Sequence, residues 1–345
     1  MISKDQRIAA FVGFSEFLRN TESAEILDDW AQQAYLRNNW FVPQNVLAAL
    51  SAIAAMLRDE ERLSQWVVQY PEVENPATIG VVLAGNLPAV GFHDLLCVLI
   101  SGHRLLVKPS KDDTVLIELI LEKLCEIEPA FREAVTFAER INAADAYIAT
   151  GSDNTARYFE TYFASKPHII RKNRVSVAVL SGNETAAELQ GLCSDIFLYF
   201  GLGCRNVSKV YVPEGYAFSA FYETAEAFRD YAAHHHKYFN NYEYNKSILL
   251  VNGDEHLDNG FLLIQENERL VSPLSMIYFE TYHEPAEVKA RLDALREKIQ
   301  CVVTGLDFGE KEVPFGKSQQ PSLTDYPDGV DVMAFLSGIG GRKEE

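Results

Sequence analysis

At 345 residues, 48% hydrophobic and 23% charged, the chain has room for two domains at the usual ~100–200 residues each, and disorder, coiled coil and collagen are excluded. Its 49 acidic against 31 basic residues, net charge −18, disfavour a general nucleic-acid or membrane-surface role, since both targets are polyanions. An anionic ligand held by a local Lys/Arg cluster stays compatible with that balance.

Apolar residues recur at three and four from Asp5 to about Tyr70, which predicts a helical N-terminal layer. At Thr78 the period changes, and Thr78 to Ala84 reads as a strand covered on both faces. A helix to about Ser101 follows, then a strand Arg104 to Val107, a helix Thr114 to Ile127, strands Ala134 to Phe137 and Ala146 to Ala149, a helix Asn154 to Ala164 and a strand Val175 to Leu180. This alternation predicts a parallel sheet with right-handed crossovers, and residues 1–181 are expected to form one doubly wound domain. A second series runs through a helix Glu184 to Tyr199, a strand Lys209 to Val212, a helix Phe218 to His234, strands Ile248 to Val251 and Ser275 to Phe279, a helix Pro285 to Lys298 and a strand Cys301 to Thr304. It defines a second α/β domain over 182–310, with 311–345 as a tail packing back on the core.

No apolar run approaches the ~18 residues that would span a bilayer, and the opening Lys4, Asp5 and Arg7 do not read as a signal peptide. The expected location is the cytoplasm. Five scattered cysteines show no Cys-x-x-Cys pair, so free thiols and no metal site are expected. The run His234-His-His points its rings in different directions on a helix and reads as exposed surface, and Tyr238 to Tyr244 reads as an aromatic loop.

Cys97, Cys125, Cys193 and Cys301 lie in apolar or helical runs and read as core. Cys204 differs, sitting in Gly201-Leu-Gly-Cys-Arg-Asn, where glycines let a ligand approach and Arg205 offers a cation that favours thiolate. The residues alone leave packing and function evenly balanced there. Asn86, at the end of the strongest strand, could donate to an oxyanion or simply make an Asx turn. Lys108-Pro-Ser-Lys suits ribose hydroxyls or phosphates, and Thr150-Gly-Ser offers N–H groups to a pyrophosphate, yet each equally fits a solvated or capping turn. No Gly-x-Gly-x-x-Gly is present.

The order of these motifs, from Gly85-Asn-Leu-Pro through Lys108-Pro-Ser, Thr150-Gly-Ser, Ser181-Gly and Gly203-Cys to the strand Val210-Tyr-Val-Pro, resembles the aldehyde dehydrogenase superfamily over Thr78 to Leu336. Leu270-Val-Ser-Pro-Leu and Val313-Pro-Phe-Gly-Lys-Ser resemble two further superfamily motifs. Gly85-Asn-Leu-Pro-Ala-Val and the tail Ser318 to Asp331 are most similar to the acyl-CoA reductases that include the fatty-acid reductase subunit of bacterial luminescence systems. The fold this implies is aldehyde-dehydrogenase-like, two doubly wound α/β domains with the helical layer.

The function implied is NAD(P)H-dependent reduction of an acyl-CoA to an aldehyde through acyl-Cys204. Asn86 and the Cys204 N–H then form the oxyanion hole, Lys108 and Ser110 hold the adenosine ribose, and Gly151 and Ser152 lie near the pyrophosphate. Lys111 stands where NAD-selective members carry a glutamate, which favours NADPH over NADH. The superfamily's Glu-Leu-Gly-Gly is matched to Val179-Leu-Ser-Gly-Asn, without its base, although Glu184 is close enough in sequence to be a displaced one. The glutamate expected four residues before Pro273 is replaced by Arg269, with Glu268 one place off. The resemblance also implies coenzyme A as part of the substrate, an acyl-activating synthetase as partner, and a homo-oligomer. Two rivals are oxidation of an aldehyde to an acid, which needs Glu184 beside Cys204, and a non-catalytic nucleotide- or partner-binding module, which needs a buried Cys204.

Overall fold

Ser3 and Gln6 form a reciprocal capping box that starts helix α1 (Lys4–Arg19). It is followed by α2 (Ala24–Arg37), α3 (Pro43–Leu57) and α4 (Glu60–Val68), the helical layer expected from the apolar spacing. The structure, a computed structural model, describes residues 2–309 and 311–339. The apolar run at Thr78 becomes β1 (Thr78–Val82), then α5 (Phe92–Ser101), β2 (Arg104–Lys108), α6 (Thr114–Ile127), β3 (Val135–Phe137), β4 (Ala146–Thr150), α7 (Asp153–Tyr162) and β5 (His168–Arg171). The five strands form one parallel sheet in the order β3-β2-β1-β4-β5. Ile79, Val81, Leu105, Val107 and Ile148 are buried with Phe11, Phe14, Phe92 and Phe131 in a continuous core.

The second series is β6 (Val175–Val179), α8 (Ala186–Phe197), β7 (Val207–Pro213), α9 (Ser219–Ala225), α10 (Arg229–Ala233), α11 (His236–Asn252), β8 (Leu257–Asp258), β9 (Leu263–Glu266), β10 (Met276–Tyr282), α12 (Pro285–Ala294), β11 (Ile299–Thr304) and β12 (Glu312–Val313). Its sheet runs β12-β11-β6-β7-β10-β9-β8 and is parallel except for β8. Helix α13 (Val332–Ser337) ends the described chain.

Several expectations need correction. The strand Val175 to Leu180, assigned to the first domain, pairs with β7 and β11. The division therefore falls at Asn173/Arg174, the second unit extends to Gln320, and Pro321 onward rejoins the first unit. An all-apolar strand announces that both its faces are covered, but not which sheet it enters. The tail is accordingly split: β12 joins β11, whereas Val332, Met333 and Leu336 are buried in the first unit's core. Residues 340–345 lie outside the described ones. Ile248 to Val251 is the last part of α11, not a strand, and Tyr238 to Tyr244 lies in the same helix. The histidine run is a helix junction, with buried His235 capping α11 by accepting the Tyr238 N–H at 3.3 Å.

Candidate active site

Helix α8 ends at Phe197, and the chain then takes three successive left-handed residues, Tyr199 (φ 56°), Phe200 (φ 57°) and Gly201 (φ 76°). Such a conformation costs a non-glycine residue roughly 1–2 kcal/mol. Burial offsets it: the fully buried Phe200 ring stacks on Tyr231 at 4.5 Å and lies 4.1 Å from His235. The loop that follows carries Cys204 into β7, and Cys204 is exposed while Cys97, Cys125, Cys193 and Cys301 are buried. Burial pushes the Cys193 thiol up to about 12, that of Cys97 well above its ordinary value, and that of Cys125 upward. Since the thiolate is the nucleophile, those three are poor candidates and Cys204 is the accessible one.

Arg205, expected as the thiol's cation, donates its Nε–H to the Ser318 carbonyl. The buried Asp195 carboxylate takes the N–H groups of Gly316 (2.7 Å) and Ser318 (3.0 Å), so the Pro-Phe-Gly-Lys-Ser segment is fastened both to α8 and to the residue after the thiol. Leu274 of the Leu270-Val-Ser-Pro-Leu turn comes within 4.0 Å of the space a side chain would take at Gly201. Lys209, fully buried, holds the carbonyls of Asn267 (2.9 Å) and Arg269 (3.2 Å) on the approach to that turn, and pairs with Glu280. Both superfamily-like motifs thus lie near the thiol loop within the second unit.

Glu184 does not. Its carboxylate takes the hydroxyl of Ser181 (2.8 Å) and the N–H of Gly182 (3.2 Å), just beyond the carboxyl end of β6. Ser176, which donates to the Cys204 carbonyl at 3.0 Å, is at the amino end of that strand. Five residues of strand, about 16 Å at ~3.3 Å each, separate the two. Closeness in sequence across α8 had suggested a displaced base, but the helix carries the chain back to the opposite edge.

In the first unit, Asn86, Lys108, Ser110, Lys111, Gly151 and Ser152 gather beyond the carboxyl ends of β1, β2 and β4, which are neighbours in the sheet. Leu83 N–H donates to Lys108 O at 3.1 Å, and a side-chain carbon at Gly85 would come within 2.4 Å of Ser110 Oγ, so the loops after β1 and β2 are in contact and Gly85 can be nothing larger. Asn86 is exposed, and its turn continues into left-handed Ala89 (φ 53°), whose N–H is taken at 2.8 Å by buried Asp113. Ser152 caps α7 by accepting the Thr155 N–H at 3.3 Å, and Gly151 packs on Thr155. Lys108 and Lys111 are exposed, and no acidic side chain among the described residues pairs with them. Exposed cations, a hydroxyl and a glycine at the first turn of a helix, all at one carboxyl edge, suit a nucleotide with its phosphates. The sequence reading missed Asn206 and Ser176, whose only signal was being small polar residues beside a motif; Asp113, at the capping position of α6, spends its carboxylate on the Ala89 N–H.

A sequence profile of the family described as acyl-CoA reductase (LuxC) matches residues 44–228, over half the chain and including Asn86, Lys108 and Cys204. The chain belongs to that family. No curated protein matches it in sequence. Family and fold are those of aldehyde-acting oxidoreductases, and the fold recurs in many solved aldehyde dehydrogenases. One from Physcomitrella patens, in complex with the reaction product succinate, is 10% identical with TM-score 0.69, over 98% of this chain and 84% of that one. An NAD+ complex of the Bacillus cereus enzyme is 12% identical with TM-score 0.59, over 88% and 72%. An NADP-dependent enzyme of E. coli is 12% identical with TM-score 0.64, over 88% of this chain and 73% of that one. Among the described residues no helix is long and apolar enough to cross a membrane, and no group of three or more His, Cys, Asp or Glu could hold a metal.

Proposed function

We propose that this member of the family reduces an acyl-CoA thioester to the aldehyde at the expense of NAD(P)H. The observation that carries the reading is the exposed Cys204 on a strained loop, with Glu184 held at the other end of β6. The Cys204 thiolate attacks the thioester carbonyl, a tetrahedral adduct forms, and the bond to sulfur of coenzyme A breaks to leave acyl-Cys204 and the free thiol. The negative oxygen of the adduct needs donors that are already oriented, and the resemblance assigns the Cys204 N–H and the Asn86 amide. With Glu184 engaged at the other end of β6, the carboxylate weighed as a displaced base does not serve Cys204, which favours an acyl-cysteine that outlives encounter with water.

The first unit's carboxyl edge supports a nicotinamide nucleotide, with Lys108 and Ser110 on the adenosine ribose and Gly151 and Ser152 near the pyrophosphate. When bound, reduced nicotinamide supplies the hydride that converts the acyl group to aldehyde. Lys111, an exposed cation three residues beyond Lys108, would attract a 2′-phosphate, which favours NADPH.

Oxidation of an aldehyde to an acid would be favoured by Glu184 beside Cys204, and an inert binding module by a buried Cys204; Glu184 is engaged at the other end of β6 and Cys204 is exposed. The test is loss of NAD(P)H absorbance with a panel of acyl-CoAs of rising length, each with NADH and NADPH. Aldehyde formed in step with nicotinamide oxidation is expected, and full turnover by Cys204→Ala would refute the mechanism.

A further inference from the structure

We propose that Asn206 and Ser176 are positioning residues for the Cys204 thiol, gripping the peptide on both sides of it; the inference rests on Cys204 being the acyl acceptor. Asn206 is 2% exposed. Its Oδ1 accepts the Gly203 N–H at 2.8 Å, and its Nδ2 donates to the carbonyls of Leu198 (2.8 Å) and Asp195 (3.0 Å), with that of Ile196 at 3.4 Å. Those carbonyls belong to the end of α8, where a helix runs out of backbone partners. One amide therefore ties the helix end to the residue before the nucleophile, across the left-handed Tyr199–Phe200–Gly201 segment. Ser176, with 0% exposure, reaches the other side: its hydroxyl donates to the Cys204 carbonyl at 3.0 Å while accepting the Cys301 N–H at 3.2 Å.

A helix cap needs only one neighbour in sequence. This one comes from two residues beyond the thiol and has both polar atoms of its amide engaged, so removing it frees the backbone on which Cys204 rides. Neither side chain has to touch substrate for this to govern the direction of attack, because a displacement of ~1 Å at a reacting atom can cost on the order of 10²-fold.

The experiment follows Cys204 by mass spectrometry in two reactions, acylation by an acyl-CoA and alkylation by iodoacetamide from about pH 6 to 9. It compares wild type, Asn206→Asp, Ser176→Ala and Ser15→Ala. Asn206→Asp keeps an acceptor for Gly203 and removes the donor to the helix end. Ser15→Ala loses a buried hydrogen bond to the Ala54 carbonyl (2.8 Å) in the first unit and controls for lost stability. Expected are acylation slowed by about 10²-fold in Asn206→Asp and about 10-fold in Ser176→Ala, with KM for acyl-CoA unchanged and the alkylation profile displaced along the pH axis. Ser15→Ala should match wild type in both reactions. If Asn206→Asp does not fold, Ser176→Ala decides. Wild-type rates and profiles in the folded variants overturn the inference, whereas a wild-type Cys204 that takes up no acyl group overturns the reading beneath it.

Discussion

Each sheet presents its candidate residues at one end of its strands, the carboxyl ends in the first unit and the amino ends in the second. In the first unit, Asn86, Lys108, Ser110, Gly151 and Ser152 lie at the carboxyl ends of β1, β2 and β4, where successive turns and helix N-termini collect, with one left-handed residue, Ala89, in the Asn86 turn. In the second, Cys204 stands at the amino ends of β6 and β7, reached from the C-terminus of α8. There the loop is built by consecutive left-handed residues, a stacked Phe200, and side chains that tie backbone to backbone. The candidate cofactor residues therefore sit mostly at strand ends and helix starts, while the candidate nucleophile rides on a run of consecutive left-handed residues.

The sharpest way to break this contrast is to remove the thiol. Cys204→Ala should lower turnover on the order of 10⁴-fold or more while leaving the melting temperature unchanged. Cys193→Ala, in the packed interior of α8, should do the reverse, keeping turnover and costing about 1–2 kcal/mol of stability in urea unfolding. Next comes the first unit's own contribution to chemistry: Asn86→Ala should lower kcat by about 10²–10³-fold, the effect of losing one oxyanion donor, with its unfolding midpoint kept. At the same edge, Lys111→Glu should move the NADPH/NADH ratio of kcat/KM towards NADH by about 10-fold, as a 2′-phosphate would then meet a like charge.

The smallest effect concerns how the returning C-terminal segment is held to the first unit. His93 Nε2 bonds the Leu323 carbonyl at 2.9 Å; His103 bonds the Leu336 carbonyl at 3.0 Å and accepts the Ala77 N–H on its other nitrogen. Burial lowers both imidazoles from the ordinary 6.5, so in the folded chain they bind fewer protons than in the unfolded one. Their contribution is full above about pH 6.5 and declines as pH falls from there towards the folded values. Urea midpoints should drop between about pH 7.5 and 5.5, and His103→Gln should flatten part of that slope.

How far the sequence could be read tracks how local each signal is. The run Thr78 to Ala84 and the spacing of the early apolar residues name β1 and the helical layer directly, because each pattern is contained in a few turns. Ile248 to Val251 looks like a strand by composition, but it is continuous with a helix that starts far upstream at its His235 cap, and the cap decides it. The strand Val175 to Leu180 was recognised and its sheet was not, since its partners Val207–Pro213 and Ile299–Thr304 are chosen by tertiary pairing. In the site, the exposed thiol and the order of the turns were legible, and Lys108 and Ser152 do lie at strand ends as expected. The roles of Arg205, Asn206 and Ser176 were hidden because each is defined by a backbone partner, in Ser318, Gly203 or Cys204, that composition cannot reveal. Glu184, open as a displaced base by its closeness along the chain, lies at the other end of β6 because α8 carries the chain back along the strand.

The central claim is that Cys204 accepts the acyl group. Incubating the protein with an acyl-CoA and no nicotinamide, then digesting and weighing the peptides, tests it directly. The account predicts the mass of one acyl group on the peptide carrying Cys204, persisting in water and discharged as aldehyde when NADPH is added. An adduct on another cysteine, or none, would contradict it.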